Sequence, residues 1–234
     1  MPVEVEVGMF ELQAQVLKTR VFDAVRHMEV PTKKCRMCGK INEDISHIVA
    51  GCKGWNFSYY LERHDSALRP LCWWLRWKYG IDEVMKPWHM PVDPDPFVEN
   101  DRIAIWWDMH YYAHGVKLEH NKPDMRVWLK EEKKMFVVEM STPWDDNVVW
   151  WEAEKVRKYG PLLVEMAVEF KGRGVQVEQV TLVIGALGSM RNLMSELGKM
   201  IERRGQVKIV AERMQRATIT KTLKAVNKFK AMRA

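Results

Sequence analysis

Cysteine is scarce in this sequence: four occur in 234 residues, too few for the disulfide framework of a small secreted domain. Three of the four lie within Cys35–Cys52 beside a histidine, and this crowding favours metal ligation in a reducing compartment. Long apolar runs are missing too, which excludes a membrane-spanning helix, and the first residues lack the basic-then-apolar build of a secretory signal. We therefore expect an intracellular protein that has no membrane partner.

Internal repeats and low-complexity segments are also absent from the sequence, and hydrophobic residues make up 47% of it. This composition is typical of one globular domain with room for a small appended module. The net charge of +6 is uneven, because residues 199–234 hold 11 basic and 2 acidic residues. A basic tail on a slightly acidic body suits a protein that touches nucleic acid on one surface, although a solvated basic helix explains the tail equally well.

Hydrophobic periodicity predicts an α/β (α+β) fold with a mixed sheet flanked by helices. Helical spacing predicts helices at Phe10–Met28, Asn56–Gly80, Trp150–Phe170, Met190–Arg203 and Ala211–Met232. Extended segments rich in Val, Ile, Trp and Phe predict strands at Arg102–Trp107, Met125–Leu129, Met135–Met140 and Val175–Ile184. The first three strands follow one another directly, which indicates an antiparallel meander. Four prolines between Pro87 and Pro96 predict a loop up to Glu99.

The strongest local motif is Cys35-x2-Cys38-x8-His47-x4-Cys52. Three thiolates and one imidazole satisfy the tetrahedral preference of zinc and leave no open position, so the motif predicts a structural Zn²⁺ site of the CCHC knuckle type. Chance clustering of buried thiols is the alternative, and it explains poorly why Arg36, Lys40, Asn42 and Glu43 lie between the ligands. Basic residues around the motif, Lys34 and Arg36 among them, favour contact with phosphate.

A second motif consists of two acidic residues on consecutive predicted strands: Asp124 follows Pro123 at the start of one, and Glu139 lies in the next. Carboxylates on neighbouring strands can share a divalent cation such as Mg²⁺ or Mn²⁺, which phosphodiester hydrolysis needs. In the PD-(D/E)xK pattern a lysine two residues after the second acid assists the attacking water, but Ser141 occupies that position. Taken alone, the two acids also fit an ordinary strand pair with exposed carboxylates.

The predicted helix after Glu139 offers a substitute for the missing lysine. Lys155 and Tyr159 are four residues apart and therefore share one helical face. An ammonium group there could stabilise charge on a phosphate, and the tyrosine hydroxyl could add a hydrogen bond. Lys158 is the competing candidate, although it points away from that face.

Further motifs occur in one order between Leu12 and Gly188. Besides the Cys/His motif they are Leu17-Lys18-Thr19-Arg20, Glu62-Arg63-His64-Asp65, Trp107-Asp108, Lys122-Pro123-Asp124, Glu139-Met140-Ser141-Thr142-Pro143, Glu154-Lys155-Val156-Arg157-Lys158-Tyr159 and Val183-Ile184-Gly185-Ala186-Leu187-Gly188. In these motifs the chain resembles the C-terminal region of site-specific non-LTR retrotransposon proteins that carry a restriction-like endonuclease. The resemblance implies a PD-(D/E)xK restriction-endonuclease-like core that nicks target DNA, so that the exposed 3′ end primes reverse transcription of element RNA. It also implies a reverse transcriptase upstream of the knuckle and a nuclear location.

The resemblance assigns roles to individual residues as well. In the family the catalytic lysine lies on the helix after the second acid, with a tyrosine one turn on, which matches Lys155 and Tyr159. Asp124 and Glu139 would hold the catalytic metal. The triplet His120, Asn121 and Lys122 is similar to a basic-His-Asn patch and implies contact with DNA. The sequence departs from the family at Glu139, where many relatives have Asp, and in the eight residues between Cys38 and His47, where seven is common.

These observations divide the chain into a linker helix (1–30), the zinc knuckle (31–55), a helical connector (56–98), the nuclease-like core (99–210) and a basic C-terminal helix (211–234). In the last segment Arg213, Arg216 and Lys221 are expected to contact nucleic acid. Two other functions stay open. The chain could be a catalytically silent nucleic-acid-binding relic of such an element, or a structural zinc module whose acidic residues are only surface groups.

Overall fold

A five-stranded mixed sheet forms the centre of the fold in the computed structural model, which describes residues 3–55, 57–113 and 117–232. The strands are β1 (Phe97–Glu99), β2 (Ile103–Trp107), β3 (Met125–Leu129), β4 (Lys134–Ser141) and β5 (Gln176–Val183). They lie in the order β1-β2-β3-β4-β5; the first four are antiparallel neighbours, and β5 is parallel to β4. The predicted α+β class, the mixed sheet and the meander are confirmed.

Helices cover both faces of the sheet. They are α1 (Val3–Gln13), α2 (Arg20–Val25), α3 (Phe57–Lys78), α4 (Val148–Phe170), α5 (Leu193–Gly198) and α6 (Arg204–Ala231). Alternate residues of a strand point to opposite faces, so Met135 and Val137 pack under α4. Their neighbours Phe136 and Val138 belong to the larger core shared with α3, α5 and α6.

The β3–β4 hairpin brings the predicted acidic positions together. Its register pairs Leu129 with Lys134 next to the turn and Met125 with Val138 at the far end. The turn closes with a hydrogen bond from the Lys133 N–H to the Lys130 carbonyl, and Lys133 has a positive φ of 51°. Turn geometry sets hairpin register, and a slip of one residue would move every side chain to the opposite face.

The connection from β4 to β5 runs through α4. Residues 142–147 leave the end of β4, form a single 3₁₀ turn at Asp145–Asn147 and enter α4 at Val148. Since β5 is parallel to β4, the chain must cross the sheet face between the two strands, and α4 makes that crossing. The first turns of α4 therefore lie near the end of β4, where Glu139 is located.

The prediction of one continuous helix over Phe10–Met28 is wrong, because the structure has two separate helices there. Helix α1 ends at Gln13, and Gln15 has a positive φ of 55°, a left-handed conformation that interrupts a right-handed helix. Thr19 then starts α2 by accepting a hydrogen bond from the Phe22 N–H, as an N-cap residue does.

Other boundaries also differ from expectation. Phe97–Glu99, predicted as a loop, forms the edge strand β1. The helix predicted at Met190–Arg203 is reduced to α5, and α6 begins at Arg204 instead of Ala211 because Val207 and Val210 continue its buried face. The predicted C-terminal helix is thus the later part of a longer one. Asn56, the predicted first residue of the second helix, lies outside the described residues.

Helix α6 packs against the segment that carries the Cys/His motif. The Phe229 ring lies in one buried cluster with Cys35, Cys52 and Trp55. Leu223 of α6 shares a second cluster with Val49 of the motif segment. Of the helices that the structure describes, none combines the length and the apolar character needed to cross a membrane.

Candidate metal centre and active site

The four predicted metal ligands come together in the structure. One ligand atom from each of Cys35, Cys38, His47 and Cys52 lies within 4.8 Å of the others. The Sγ atoms of Cys35 and Cys52 are 3.8 Å apart, and Sγ of Cys38 is 3.3 Å from Nε2 of His47. Two thiolates on one tetrahedral zinc ion stand about 3.8 Å apart, given a Zn–S bond of about 2.3 Å. The cluster could therefore hold a metal ion of zinc's size and preference.

Short-range backbone bonds shape this cluster. The Cys35 N–H donates to Ile41 O and the Gly39 N–H donates to Cys35 O, which closes the turn that holds Cys35 and Cys38. Gly39 has a φ of +67°, which glycine adopts without strain. The other two ligands bracket a single turn of π-helix, His47–Gly51, which ends where the Cys52 N–H donates to His47 O.

A buried carboxylate anchors the same segment. Glu43 has no exposed surface, and its oxygens accept hydrogen bonds from the backbone and the guanidinium of Arg36 and from the Arg20 N–H. Burial opposes the charge of Glu43, but the paired Arg36 outweighs it and lowers the pKa of Glu43. The segment thus has a small ionic core besides its metal ligands.

The thiols of the cluster differ in acidity. Backbone N–H groups of Ile41 and Lys40 lower the pKa of Cys38 to about 6, because they stabilise its thiolate. Burial raises the pKa of Cys52 to about 12, and the neighbouring Cys35 thiol adds to that effect. A metal ion must therefore displace a proton from Cys52 when it binds, so binding should tighten as pH rises.

The β3–β4 register brings Asp124 and Glu139 opposite each other. The last pair of this register is Met125 with Val138. Asp124 directly precedes Met125 and Glu139 directly follows Val138, so continuation of the register places these two residues opposite each other. Oδ2 of Asp124 also accepts a hydrogen bond of 2.7 Å from the Met140 N–H. The two predicted acids therefore occupy one end of the sheet, where β3 begins and β4 nears its end.

Lys155 reaches both carboxylates from α4. Its Nζ atom lies 2.8 Å from Oε2 of Glu139 and 3.4 Å from Oδ2 of Asp124. Burial opposes the charge of Lys155, but the two carboxylates outweigh it and raise the pKa of the lysine. Lys158, by contrast, lies with its Nζ atom over the Tyr159 ring, 5.1 Å from the centroid.

The pKa values of the two acids shift in opposite directions. Desolvation and the neighbouring charge of Asp124 raise the pKa of Glu139, although Lys155 works against both. Desolvation would raise the pKa of Asp124 as well, but the charges of His64 and Lys155 hold that pKa well below its ordinary value. Asp124 is therefore a stable anion, whereas Glu139 readily keeps a proton when no cation other than Lys155 is near.

The structure adds His64 of α3, to which sequence reasoning gave no role. Its Nδ1 faces Oδ1 of Asp65 at 2.9 Å, and its Nε2 faces Oδ2 of Asp124 at 3.2 Å and the carbonyl of Met140 at 3.1 Å. Every one of these partners is an acceptor, so both ring nitrogens serve as donors, and the ring is an imidazolium. Burial opposes this charge, but Asp124 and Asp65 keep the pKa of His64 well above its ordinary value.

An open cleft of about 530 Å³ adjoins Asp124. His64 and Lys122 contribute its positive charge, and Asp108 lines the mouth. Asp108 has a positive φ of 51°, its N–H donates to the Asp124 carbonyl, and its carboxylate pairs with Lys122 at 2.7 Å. The remaining lining residues are Leu61, Asp65, Leu68, Asp93, Pro94, Pro96 and Trp107. Asp124, which directly precedes β3, is thus accessible from solvent.

Tyr159 and the triplet before Pro123 form one side of this region. The Tyr159 hydroxyl donates a 3.2 Å hydrogen bond to the Lys122 carbonyl, and burial raises the pKa of that hydroxyl. The His120 ring lies 6.3 Å from the Tyr159 ring, and Asn121 Oδ1 is 3.1 Å from Nδ1 of His110. Tyr159 therefore holds the backbone in front of Asp124.

The residues predicted to contact nucleic acid differ in their exposure and in their contacts with other side chains. Lys34 and Arg216 are exposed, whereas the Arg36 guanidinium binds Glu43 and lies over the Phe229 ring. Lys221 donates to Glu62 at 2.7 Å, and Arg213 donates to the sulfur of Met85 at 2.9 Å.

Comparison of the sequence with models of protein families found no match, and comparison with curated proteins found none either.

Proposed function

We propose that this chain is a metal-dependent DNA endonuclease that nicks one strand of target DNA. The observation that carries the proposal is the convergence of Asp124, Glu139 and Lys155 at one end of the sheet, beside an open cleft. Paired carboxylates next to a lysine on neighbouring elements are what metal-assisted phosphodiester hydrolysis needs. The motif resemblance supports a role in exposing a 3′ end that primes reverse transcription of element RNA.

A catalytic Mg²⁺ or Mn²⁺ fits this pair of acids. Oε1 of Glu139 is buried and has no hydrogen-bond partner within residues 3–55, 57–113 and 117–232, an arrangement that is costly unless a ligand meets it. Hard carboxylate oxygens are the ligands that these cations select. A divalent cation held by Asp124 and Glu139 would supply positive charge to polarise the scissile phosphate.

The side chains of the chain itself perform the remaining tasks. Lys155 stabilises negative charge that develops on the phosphate, since its ammonium group is buried and held in place by both acids. His64 and the Met140 N–H orient the Asp124 carboxylate, and Tyr159 fixes the backbone of Lys122 at the edge of the cleft. A hydrogen-bonded second layer of this kind keeps first-layer groups in their productive orientation.

In this proposal the Cys/His cluster carries structural Zn²⁺, and the exposed basic residues Lys34 and Arg216 hold DNA or RNA through phosphate contacts. The proposal also includes an upstream reverse transcriptase in a longer polyprotein and a nuclear location.

The test is nicking of supercoiled plasmid by the purified chain with Mg²⁺ or Mn²⁺. We expect open-circle product from the parent protein and none from Asp124→Ala, with DNA binding by the two proteins nearly equal. Equal binding is expected because Asp124 is a metal ligand and makes no phosphate contact in this proposal. Absence of nicking by the parent under both cations, with DNA binding retained, would favour the silent nucleic-acid-binding alternative.

A further inference from the structure

Arg63 of α3 joins the Cys/His segment to the end of the strand that carries Glu139. Its side chain is completely buried. The guanidinium donates to the Val49 carbonyl at 3.1 Å and to the carbonyl and hydroxyl of Thr142 at 3.0 and 3.2 Å. A buried guanidinium bound to neutral oxygens is held by geometry, and burial lowers the pKa of Arg63 to about 10.

The two residues that Arg63 contacts, Val49 and Thr142, each lie close in sequence to predicted metal ligands. Val49 lies inside the helical turn His47–Gly51, so the ligands His47 and Cys52 fix both of its ends. Thr142 lies three residues after Glu139, at the start of the connection to α4 and Lys155. The Val49 side chain also shares a buried cluster with Trp144 of that connection.

The next residue on α3 completes the path. His64 contacts the Asp124 carboxylate and the carbonyl of Met140, the residue after Glu139. Displacement of this part of α3 would therefore disturb the positions of both Asp124 and Glu139. Side chains fixed by a shared packed element shift together, because a close-packed interior transmits strain.

We propose that Arg63 couples the two sites, so that a metal ion in the Cys/His cluster raises the affinity of the Asp124–Glu139 pair for a divalent cation. Arg63 is a positioning residue in this proposal and touches neither metal. The proposal rests on the carboxylate pair binding a cation, as in the proposed function, but does not require that DNA be cut. By linkage, a cation at the carboxylates raises the zinc affinity of the cluster by the same factor.

The experiment measures Mn²⁺ binding by electron paramagnetic resonance in the full chain, once loaded with one zinc ion and once freed of zinc under reducing conditions. Mn²⁺ suits the carboxylate site because it prefers oxygen ligands to thiolates. We expect the zinc-loaded protein to bind Mn²⁺ about fivefold more tightly or better, the usual lower range of coupling between sites. Asp124→Ala defines the binding that belongs to this site.

Two arginines that each donate to a carbonyl of the Cys/His segment provide the matched comparison. Arg63→Met should bind Mn²⁺ with the same affinity whether or not zinc is present. Arg20→Met removes a 2.7 Å hydrogen bond to the carbonyl of Lys34, a residue that has no contact with the elements carrying Asp124 and Glu139 among the bonds described above. This variant should keep the parent's ratio of Mn²⁺ affinities with and without zinc. An unchanged ratio in a folded Arg63→Met protein overturns the proposal.

A second measurement needs no substitution and covers the case in which Arg63→Met does not fold. Removal of zinc from the parent protein should speed hydrogen exchange at the Met140 amide, which donates to Asp124, while the Val180 amide in β5 keeps its protection. Equal Mn²⁺ affinity with and without zinc, Mn²⁺ binding that does not depend on Asp124, or loss of the whole sheet on zinc removal would each refute the coupling. Coupling without any nicking of DNA would instead reject the proposed function alone.

Discussion

Lys155 extends from α4 to within 2.8 Å of Oε2 of Glu139, and both side chains are buried. Lys158, three residues further along the same helix, lies over the Tyr159 ring instead. This contrast makes the two lysines a matched pair for the first prediction.

Replacement of Lys155 by alanine should reduce the rate of plasmid nicking roughly 100-fold or more, because it removes the buried charge that faces the acids. Lys158→Ala should cost much less. Initial rates at saturating Mg²⁺ would measure both, with DNA affinity as the control for folding. If Lys158 proved essential and Lys155 dispensable, the role assigned to Lys155 would be wrong.

The pH dependence of stability should report on Glu139. An unfolded glutamate loses its proton near pH 4.3, whereas the folded protein holds this proton until about pH 8. Between those values the folded state binds more protons, so the free energy of unfolding falls as pH rises. His64 acts in the same direction only above about pH 6.5, and Asp124 acts only below about pH 4. Cys38, whose pKa is about 6 in the folded protein, acts in the opposite direction near pH 6, so the difference in slope between the parent and a Glu139 variant isolates Glu139 between pH 5 and 6.5.

Urea unfolding of protein free of Mg²⁺ would measure this effect. We expect Glu139→Gln to lose most of the decline in stability between pH 5 and 6.5 that the parent shows. Glu178→Gln, at a half-exposed position of β5, should keep the parent's decline and serves as the control. The same slope of stability against pH in the parent and in Glu139→Gln would contradict the raised pKa of Glu139.

Zinc content should distinguish the cysteines. Cys52→Ser removes a cluster ligand and should lower bound zinc from one ion per chain to almost none at micromolar concentration. Cys72 is buried in the sheet core, away from the cluster, so Cys72→Ala should retain the ion. Elemental analysis after gel filtration gives the ratio, and retention of zinc by Cys52→Ser would remove that residue from the ligand set.

The same measurement can be made against pH. Because the Cys52 thiol has a pKa of about 12, zinc must displace its proton, and zinc affinity should rise with pH between 6 and 8. Competition with a chromophoric chelator would follow this, corrected for the chelator's own protonation. A constant zinc affinity over that range would mean that the thiolates are already formed in the free protein.

The basic residues of α6 should contribute unequally to DNA binding. Arg216 is exposed, so Arg216→Gln should lower the slope of log affinity against log salt by about one. Arg213 is engaged with Met85, and Arg213→Gln should change the slope much less. Fluorescence anisotropy with a short duplex at several salt concentrations would compare them, and equal slopes in both variants would exclude a specific role for Arg216.

The parts of the structure that depend on local pattern could be predicted from the sequence. The Cys/His motif brings its ligands together through two short turns, and the β3–β4 hairpin follows from two extended segments separated by a short charged turn. Helical spacing places Lys155 on one face with Tyr159 but leaves Lys158 as a competing candidate, and the motif resemblance favours Lys155, whose Nζ atom lies beside both acids in the structure.

The roles of Arg63 and His64 could not be predicted in the same way. Their partners on β3, β4 and the following loop lie at least 60 residues further along the chain, and several of these partners are backbone carbonyls that no side-chain motif reveals. Glu43 is a similar case: the sequence places it among polar loop residues, yet Arg36 allows it to be completely buried. Each of these depends on tertiary packing, which overrides local preference.

The number of residues in the turn between β3 and β4 determines which residues are paired at the far end of the hairpin. Asp124 and Glu139 face each other only because the turn at Lys130–Lys133 contains a fixed number of residues, although it lies about 17 Å from them along the hairpin. One residue inserted there could shift the pairing by one, turn Glu139 towards the opposite face and leave Lys155 with a single acid. The turn therefore sets the relative position of the two acids, even though no residue of the turn lines the cleft.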